Sequence, residues 1–289
     1  MTTDRREVPR RRVRFGEAEL LPDPFAPRGW TLAVDGVFQS YVDLADPTHL
    51  RMPYVTWMAA VIDQTLPTGL PVRAVHVGGG GLALPRYVST TRPGSEQVVF
   101  DLDGPLVEFV LTHLPTDVPV RIEDGAEGIR TLPRATADLV VLDVFRAGEI
   151  AAELATVEFF AEAAEVLTPK GVLTTNLHDG QDLTFTRRAA TAAAEVLPHV
   201  AAISTATVFL RESSGSVVVV ASRSPLPLKA LDEWSTTVHP RPYVVTSAQI
   251  TALYGAIAPS TTTARSHPTI GVRKAAIRSD FEASDNRSS

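Results

Sequence analysis

Four acids and one run of glycines hold most of the chemistry this chain could do. Asp101, Asp103, Asp124 and Asp143 stand at or just past the ends of apolar segments, and Gly78, Gly79, Gly80 and Gly81 close another, "VRAVHVGGGG". A carboxylate offers two oxygens to two hydroxyl hydrogens, the geometry that grips a ribose. Bare backbone lets a nucleoside or phosphate come close, and the amides of a following helix point at it. Asp101 follows Gly78 by 23 positions, near the spacing of about 20 at which an acid reaches ribose hydroxyls in dinucleotide-type folds. Asp124, with Gly125 and Ala126, is placed to accept from an adenine amino group.

The elements that must position these residues are legible from residue 72 onward. "VRAVHV" (72–77), "EQVVFDLD" (96–103), "VPVRIED" (118–124), "ADLVVLDV" (137–144) and "GVLTTNL" (171–177) read as buried strands alternating with helical segments. Such alternation predicts a parallel sheet covered on both faces, with ligands bound beyond the carboxyl ends of the strands. Helices are expected at 49–66, 151–167 and 183–197. The last two strands, 200–211 and 216–223, are joined only by "ESSG", too short for a crossover, so they pair antiparallel. The fold class is therefore α/β, a seven-stranded class I methyltransferase-like (Rossmann-like) sheet with a C-terminal antiparallel hairpin. A small hairpin at 30–42 precedes it.

The division along the chain follows: a basic, proline-rich arm at 1–29, a small β-hairpin domain with its helix at 30–67, the nucleoside-binding domain at 68–258, and a disordered tail at 259–289. Six arginines in "RREVPRRRVR" (5–14) read as a solvated arm, although a net charge of −6 argues against nucleic acid as a partner. No apolar run is long enough to span a bilayer. The absence of cysteine excludes thiolate metal sites and a cysteine nucleophile, and the histidines lack metal-binding spacing, so no metal is expected. A reducing cytoplasm suits such a chain. Two alternatives stay open at the residue level. Gly78, Gly80 and Ala83 also fit the dehydrogenase fingerprint, and Asp103 and Asp124 serve equally well as helix N-caps. His76, inside an apolar strand, reads as a core histidine.

Taken in order, "VDGVFQS" (34–40), "VHVGGGG" (75–81), "VVFDLD" (98–103), "EDGAEGI" (123–129), "DLVVLDVF" (138–145) and "ATVEFFAEAAEVLTPKGVLTTNL" (155–177) resemble the spermidine synthase (aminopropyltransferase) family, in its divergent, often actinobacterial, form. The resemblance implies a homodimer that binds decarboxylated S-adenosylmethionine, or S-adenosylmethionine itself, as co-substrate and alkylates a small-molecule amine. It places Asp101 and Leu102 at the ribose, Asp124 and Ala126 at the adenine, and Asp143 as the catalytic acid. Tyr54 and Gln39 match a tyrosine and a glutamine of the family's N-terminal segment. The departures lie on the acceptor side: Gly81 stands where the family's glycine loop has an acid, Arg146 where a second acid follows the catalytic one, and His178 with Asp179 where a glutamate is usual. His178 and Arg146 thus become candidate substrate contacts. Methyl transfer and non-catalytic nucleoside binding are the rival functions.

Overall fold

The computed structural model of the chain describes residues 8–146, 149–150 and 152–262, the side chains of 145–152 excepted. The chain opens with two hairpins, β1 (Arg10–Val13) with β2 (Gly16–Pro22) and β3 (Gly29–Val34) with β4 (Val37–Asp43), which join into a four-stranded antiparallel sheet in the order β1-β2-β3-β4. The expected arm at 1–29 is therefore corrected: residues 10–22 are strands. Their arginines face acids, with Arg10 opposite Glu19 and Arg12 opposite Glu17, while Ala18 and Leu20 point inward and are fully buried. Arg11 reaches further and pairs with Glu108 at 2.6 Å. Residues 1–7 lie outside the described residues.

Next comes α1 (Pro53–Thr65), started by Pro53 at its first position, where a missing N–H costs nothing. The parallel layer is then laid down as β5 (Arg73–Val77), α2 (Ala83–Thr91), β6 (Glu96–Asp101), α3 (Gly104–His113), β7 (Val120–Ile122), α4 (Gly125–Arg130) and β8 (Ala137–Leu142). A two-stranded ribbon, β9 (Phe145–Arg146) with β10 (Glu149–Ile150), leads through a 3-10 turn at 152–155 into α5 (Val157–Val166), β11 (Leu167–Asp179) and α6 (Thr184–Ala194). The chain closes with β12 (His199–Thr205), α7 (Ala206–Phe209), β13 (Gly215–Ser222), α8 (Leu228–Ser235), β14 (Pro242–Thr246) and α9 (Ser247–Tyr254).

The large sheet runs β14-β12-β13-β11-β8-β5-β6-β7. Pairing is parallel from β11 to β7, and β13 is antiparallel to both β11 and β12. That is the expected methyltransferase-type order, with an eighth strand, β14, added at one edge. Two further details differ from the sequence reading. The segment 206–211 turns helical after Thr205 rather than continuing its strand, and α5 begins at Val157 rather than at 151. Of the expected tail, residues 259–262 lie against the start of α5, where Ser260 is buried and its carbonyl accepts from the Val157 amide. The remainder lies outside the described residues.

Alternation along the strands splits the core in two. Ala74, Val99, Leu139, Val141 and Val218 face α1, α2, α3 and α8, whereas Val75, Val77, Phe100, Val140 and Val219 face α4, α5 and α6. Helix α4 lies close on β6 because Gly128 has no side chain, and a Cβ there would fall 2.4 Å from the Phe100 ring. The first core also holds Arg92, which is fully buried. Its guanidinium donates to the Ile62 and Leu66 carbonyls at the end of α1 and pairs with Asp63 at 3.1 Å. The Leu66 carbonyl lies beyond the helix's own hydrogen bonds, whereas the Ile62 carbonyl also accepts from the Leu66 amide at 3.0 Å. Arg92→Leu should therefore lower unfolding free energy in urea by about 2–4 kcal/mol, since it leaves the Leu66 carbonyl without this donor as well as breaking an ion pair.

Candidate functional site

Strand ends and the first antiparallel sheet enclose one cavity of about 1500 Å³. Its upper wall is glycine backbone. At Gly78 the chain takes φ of +89°, and a Cβ there would sit 2.1 Å from the Asp143 carbonyl oxygen. Gly78 donates to the Phe100 carbonyl at 2.8 Å, and Asp143 to the Val77 carbonyl at 2.9 Å, so β6, β5 and β8 are pinned together where they end. Gly79 and Gly80 complete the wall. Gly81 does not line the cavity. It faces β4 instead, where a Cβ would meet the Ser40 Oγ at 2.8 Å, and its carbonyl accepts from buried Arg86.

Asp101 stands at the end of β6, directly beneath this wall. One of its oxygens accepts from the Gly79 amide and the other from the Asp103 amide, both at 2.9 Å. Each carboxylate oxygen has a second lone-pair position and the Gly80 amide also lies toward the carboxylate, so at least one position remains for a ligand hydroxyl. Burial pushes the Asp101 carboxyl above its usual range, while the Asp103 and Gly79 amides oppose that shift. Asp103 is a structural residue. It caps α3 by accepting from the Leu106 amide at 3.0 Å and holds the β1–β2 turn by accepting from the Arg14 amide at 3.1 Å. The Arg14 guanidinium takes the Leu102 carbonyl at 3.2 Å, which sets Phe15 on the cavity rim beside Leu102.

Of the residues expected on the adenine side, one lines the cavity. Gly125 lines the cavity, its position set by Val77, whose Cγ1 would lie 2.2 Å from a Cβ. Asp124 and Ala126 do not line it, because the Asp124 carboxylate is turned to cap α4 and accepts from the Ala126 and Glu127 amides at 3.0 and 3.3 Å. Of the two readings for Asp124, the cap is the one the geometry shows.

Asp143, at the end of β8, lies on the same cavity as Asp101. Asn176 on β11 donates to its Oδ1 at 3.1 Å. The Tyr54 hydroxyl, from the first turn of α1, is held by the Gln39 carbonyl at 3.3 Å and stands beside the Asp143 carboxylate. Burial pushes the Asp143 carboxyl up to about 6, against the pull of Asn176 and Tyr54. Burial and the neighbouring Asp143 charge drive the Tyr54 phenol well above its usual range, so it stays a neutral donor. His178, two residues past Asn176, also lines the cavity, and burial holds its imidazole below the usual range, hence uncharged at neutral pH. Gln39 lines the cavity, but its side-chain amide turns back to the Val37 carbonyl at 3.4 Å. The Arg146 side chain lies outside the described residues. Among those residues, no group of three or more His, Asp or Glu is arranged to hold a metal ion.

Sequence reasoning missed Phe15, since residues 10–22 read as an arm. It placed Asn176 at a strand end without a role and took His76 for a core residue, yet both line this cavity. The arrangement can accept from a ligand hydroxyl at one end and hold a raised carboxylate at the other.

No family model matches the sequence. The polyamine aminopropyltransferase of Chromobacterium violaceum is 27% identical over 147 residues, 49% of this chain and 55% of that protein. The chain thus matches about half the length of its curated relatives. Among solved structures, a probable spermidine synthase from Corynebacterium glutamicum superposes with a TM-score of 0.79 at 23% identity, covering 91% of this chain and 99% of that one. A spermidine synthase in complex with the transition-state analogue AdoDATO superposes with a TM-score of 0.55 at 17% identity, covering 86% and 83%.

Proposed function

We propose that this chain, similar in sequence to polyamine aminopropyltransferases and in fold to spermidine synthases, alkylates an amine with the aminopropyl group of decarboxylated S-adenosylmethionine. One observation carries the reading: Gly78, Gly79, Gly80, Asp101 and Asp143 line a single cavity, with Asp101 anchored at the glycine wall. The ribose is held through the Asp101 carboxylate, the purine lies toward Gly125 and Leu102, and the sulfonium faces Asp143. The ligand named in the AdoDATO complex supports a nucleoside of this class.

An alkylamine has a pKa near 10 and is protonated at neutral pH. Asp143 takes that proton. Nitrogen then attacks the carbon beside sulfur, the N–C bond forms as the C–S bond breaks, and the electron pair leaves on a neutral thioether. A carboxyl raised from 3.8 to about 6 makes the proton transfer less uphill by roughly 3 kcal/mol. The same negative charge attracts the ammonium before transfer. Tyr54 and Asn176 fix the carboxylate, so little reorganisation is left for the reaction itself. Homodimer assembly and a cytoplasmic setting belong to the same proposal. No helix among the described residues is long and apolar enough to cross a membrane.

Calorimetry with decarboxylated and intact S-adenosylmethionine, alongside mass-spectrometric detection of an alkylated amine, tests the assignment. Preference for the decarboxylated ligand with aminopropyl transfer is the expected result. A methylated product inhibited by S-adenosylhomocysteine would replace this reading with methyl transfer, and binding without turnover by any amine would leave a nucleoside-binding protein. In the same assay Asp101→Ala should weaken nucleoside binding about 10- to 100-fold, the worth of one hydrogen bond to an ionised acceptor.

A further inference from the structure

We propose that His76 is an uncharged second anchor on the cavity floor, and that the acceptor is an amine whose far end bears a neutral hydrogen-bond donor, an amino alcohol rather than a diamine. The inference rests on the aminopropyl-transfer reading and specifies its acceptor.

His76 is 1% exposed and lines the cavity from the middle of β5. Its Nε2 lies 2.9 Å from the Gln97 Oε1. The Gln97 amide nitrogen donates to the Pro85 carbonyl at 3.1 Å and to the Ser89 hydroxyl at 2.8 Å, which fixes the amide with its oxygen toward the ring. An amide oxygen only accepts, so the imidazole hydrogen is on Nε2 and Nδ1 presents a bare lone pair. Nδ1 is buried and has no partner. The Asn176 Oδ1 is in the same condition on the same cavity, its amide nitrogen being given to Asp143. Buried acceptors without donors are rare in folded proteins and point to a ligand that supplies them.

The two orphans sit at different depths. His76 is in register with Val141, two residues before Asp143 on β8, so at the usual rise per residue it lies about 6–7 Å below the carboxylate along the sheet. Asn176 pairs with Asp143 and meets the reacting nitrogen. His76 then meets the other end of a short extended chain. The charge balance decides what that end is. Among the described residues lining the cavity the acids are Asp35, Asp101, Asp103 and Asp143. Asp101 and Asp103 are engaged at the glycine wall and the α3 cap, and Asp35 holds the Glu17 amide in the β3–β4 turn. Beside His76 stand Val141, its register partner on β8, and Pro85, whose carbonyl holds the same Gln97 amide. An ammonium there would be a buried cation with no free carboxylate beside it among the described residues, which proteins avoid. A hydroxyl needs only the lone pair.

The test is calorimetric, on full-length protein saturated with methylthioadenosine, using 4-aminobutan-1-ol, putrescine and butylamine as probes. Expected is tightest binding of the amino alcohol, by at least tenfold over both others. In His76→Leu that advantage over butylamine should collapse to within about twofold, with butylamine itself bound as before. Because the readout is a ratio within one variant, partial loss of folded protein does not imitate it. If the variant does not fold, the wild-type ranking still decides. Putrescine binding as tightly as the amino alcohol, an advantage that survives His76→Leu, or no amine binding at all would each overturn the proposal. Turnover of the bound amine tests the transfer reading separately, since the ranking can hold without catalysis.

Discussion

Asp143→Asn should reduce amine alkylation by about 10²–10⁴-fold in kcat, the usual contribution of a positioned general base. Affinity for the neutral nucleoside methylthioadenosine should stay within about threefold, because Asp101 and the glycine wall are untouched. The same substitution should stabilise the ligand-free protein. The folded state holds the Asp143 proton with a pKa of about 6, against 3.8 for the free side chain. Across that window the folded protein carries the extra proton, so its stability is highest below the window and is lost as pH rises through it. At neutral pH the ionised carboxylate costs about 2 kcal/mol, allowing for the part of the group that faces the cavity. Asparagine keeps the contact with Asn176 and removes the cost. Wild-type turnover should accordingly climb as pH rises through about 6 and level off above it, while thermal stability declines over the same range. Unchanged kcat in the variant would take Asp143 out of the chemistry.

The parts of this site that the sequence revealed are those governed by local rules. Strand ends follow from apolar runs, and ligand position follows from strand ends, so Asp101, Asp143 and the glycine wall were readable together. Asp124 was ambiguous because capping an α-helix and binding a ligand ask for the same residue type at the same place, and only the orientation of its carboxylate, turned to the Ala126 and Glu127 amides, distinguishes them. What escaped depends on distant pairing. The arginines at 10–14 carry a charge pattern typical of a solvated arm until Glu17 and Glu19 are laid beside them, and Arg14 finds the Leu102 carbonyl 88 residues away. Charge alternation between neighbouring short runs was the available signal.

The acceptor end was hard to read for a different reason. The resemblance marked acids that are missing, yet an absence does not say what stands in the space. At Gly81 the answer is the first sheet itself: Ser40 occupies the place a side chain would need. At the floor it is an imidazole, whose role depends on which nitrogen bears hydrogen. That in turn depends on Gln97, Ser89 and the Pro85 carbonyl, a chain of contacts no spacing rule contains.

The close approach at Gly78 predicts the largest combined effect on fold and activity. Gly78→Ala would put a methyl group 2.1 Å from the Asp143 carbonyl oxygen, and that oxygen belongs to backbone held by the Val77 carbonyl, so it cannot swing aside as a side chain would. Its φ of +89° adds the left-handed penalty of about 1–2 kcal/mol. A total loss of about 3 kcal/mol or more is expected in urea unfolding, with kcat falling at least 100-fold because the shift that relieves the clash moves Asp143 itself. Gly69→Ala separates the two causes. Gly69 has a φ of +75° with nothing within 4 Å of a built Cβ, and it lies in the surface loop before β5. That variant should lose only about 1–2 kcal/mol and keep full turnover. Equal losses in the two variants would mean that dihedral strain alone matters at Gly78, and that contact between β5 and the Asp143 backbone does not set the position of the reactive carboxylate.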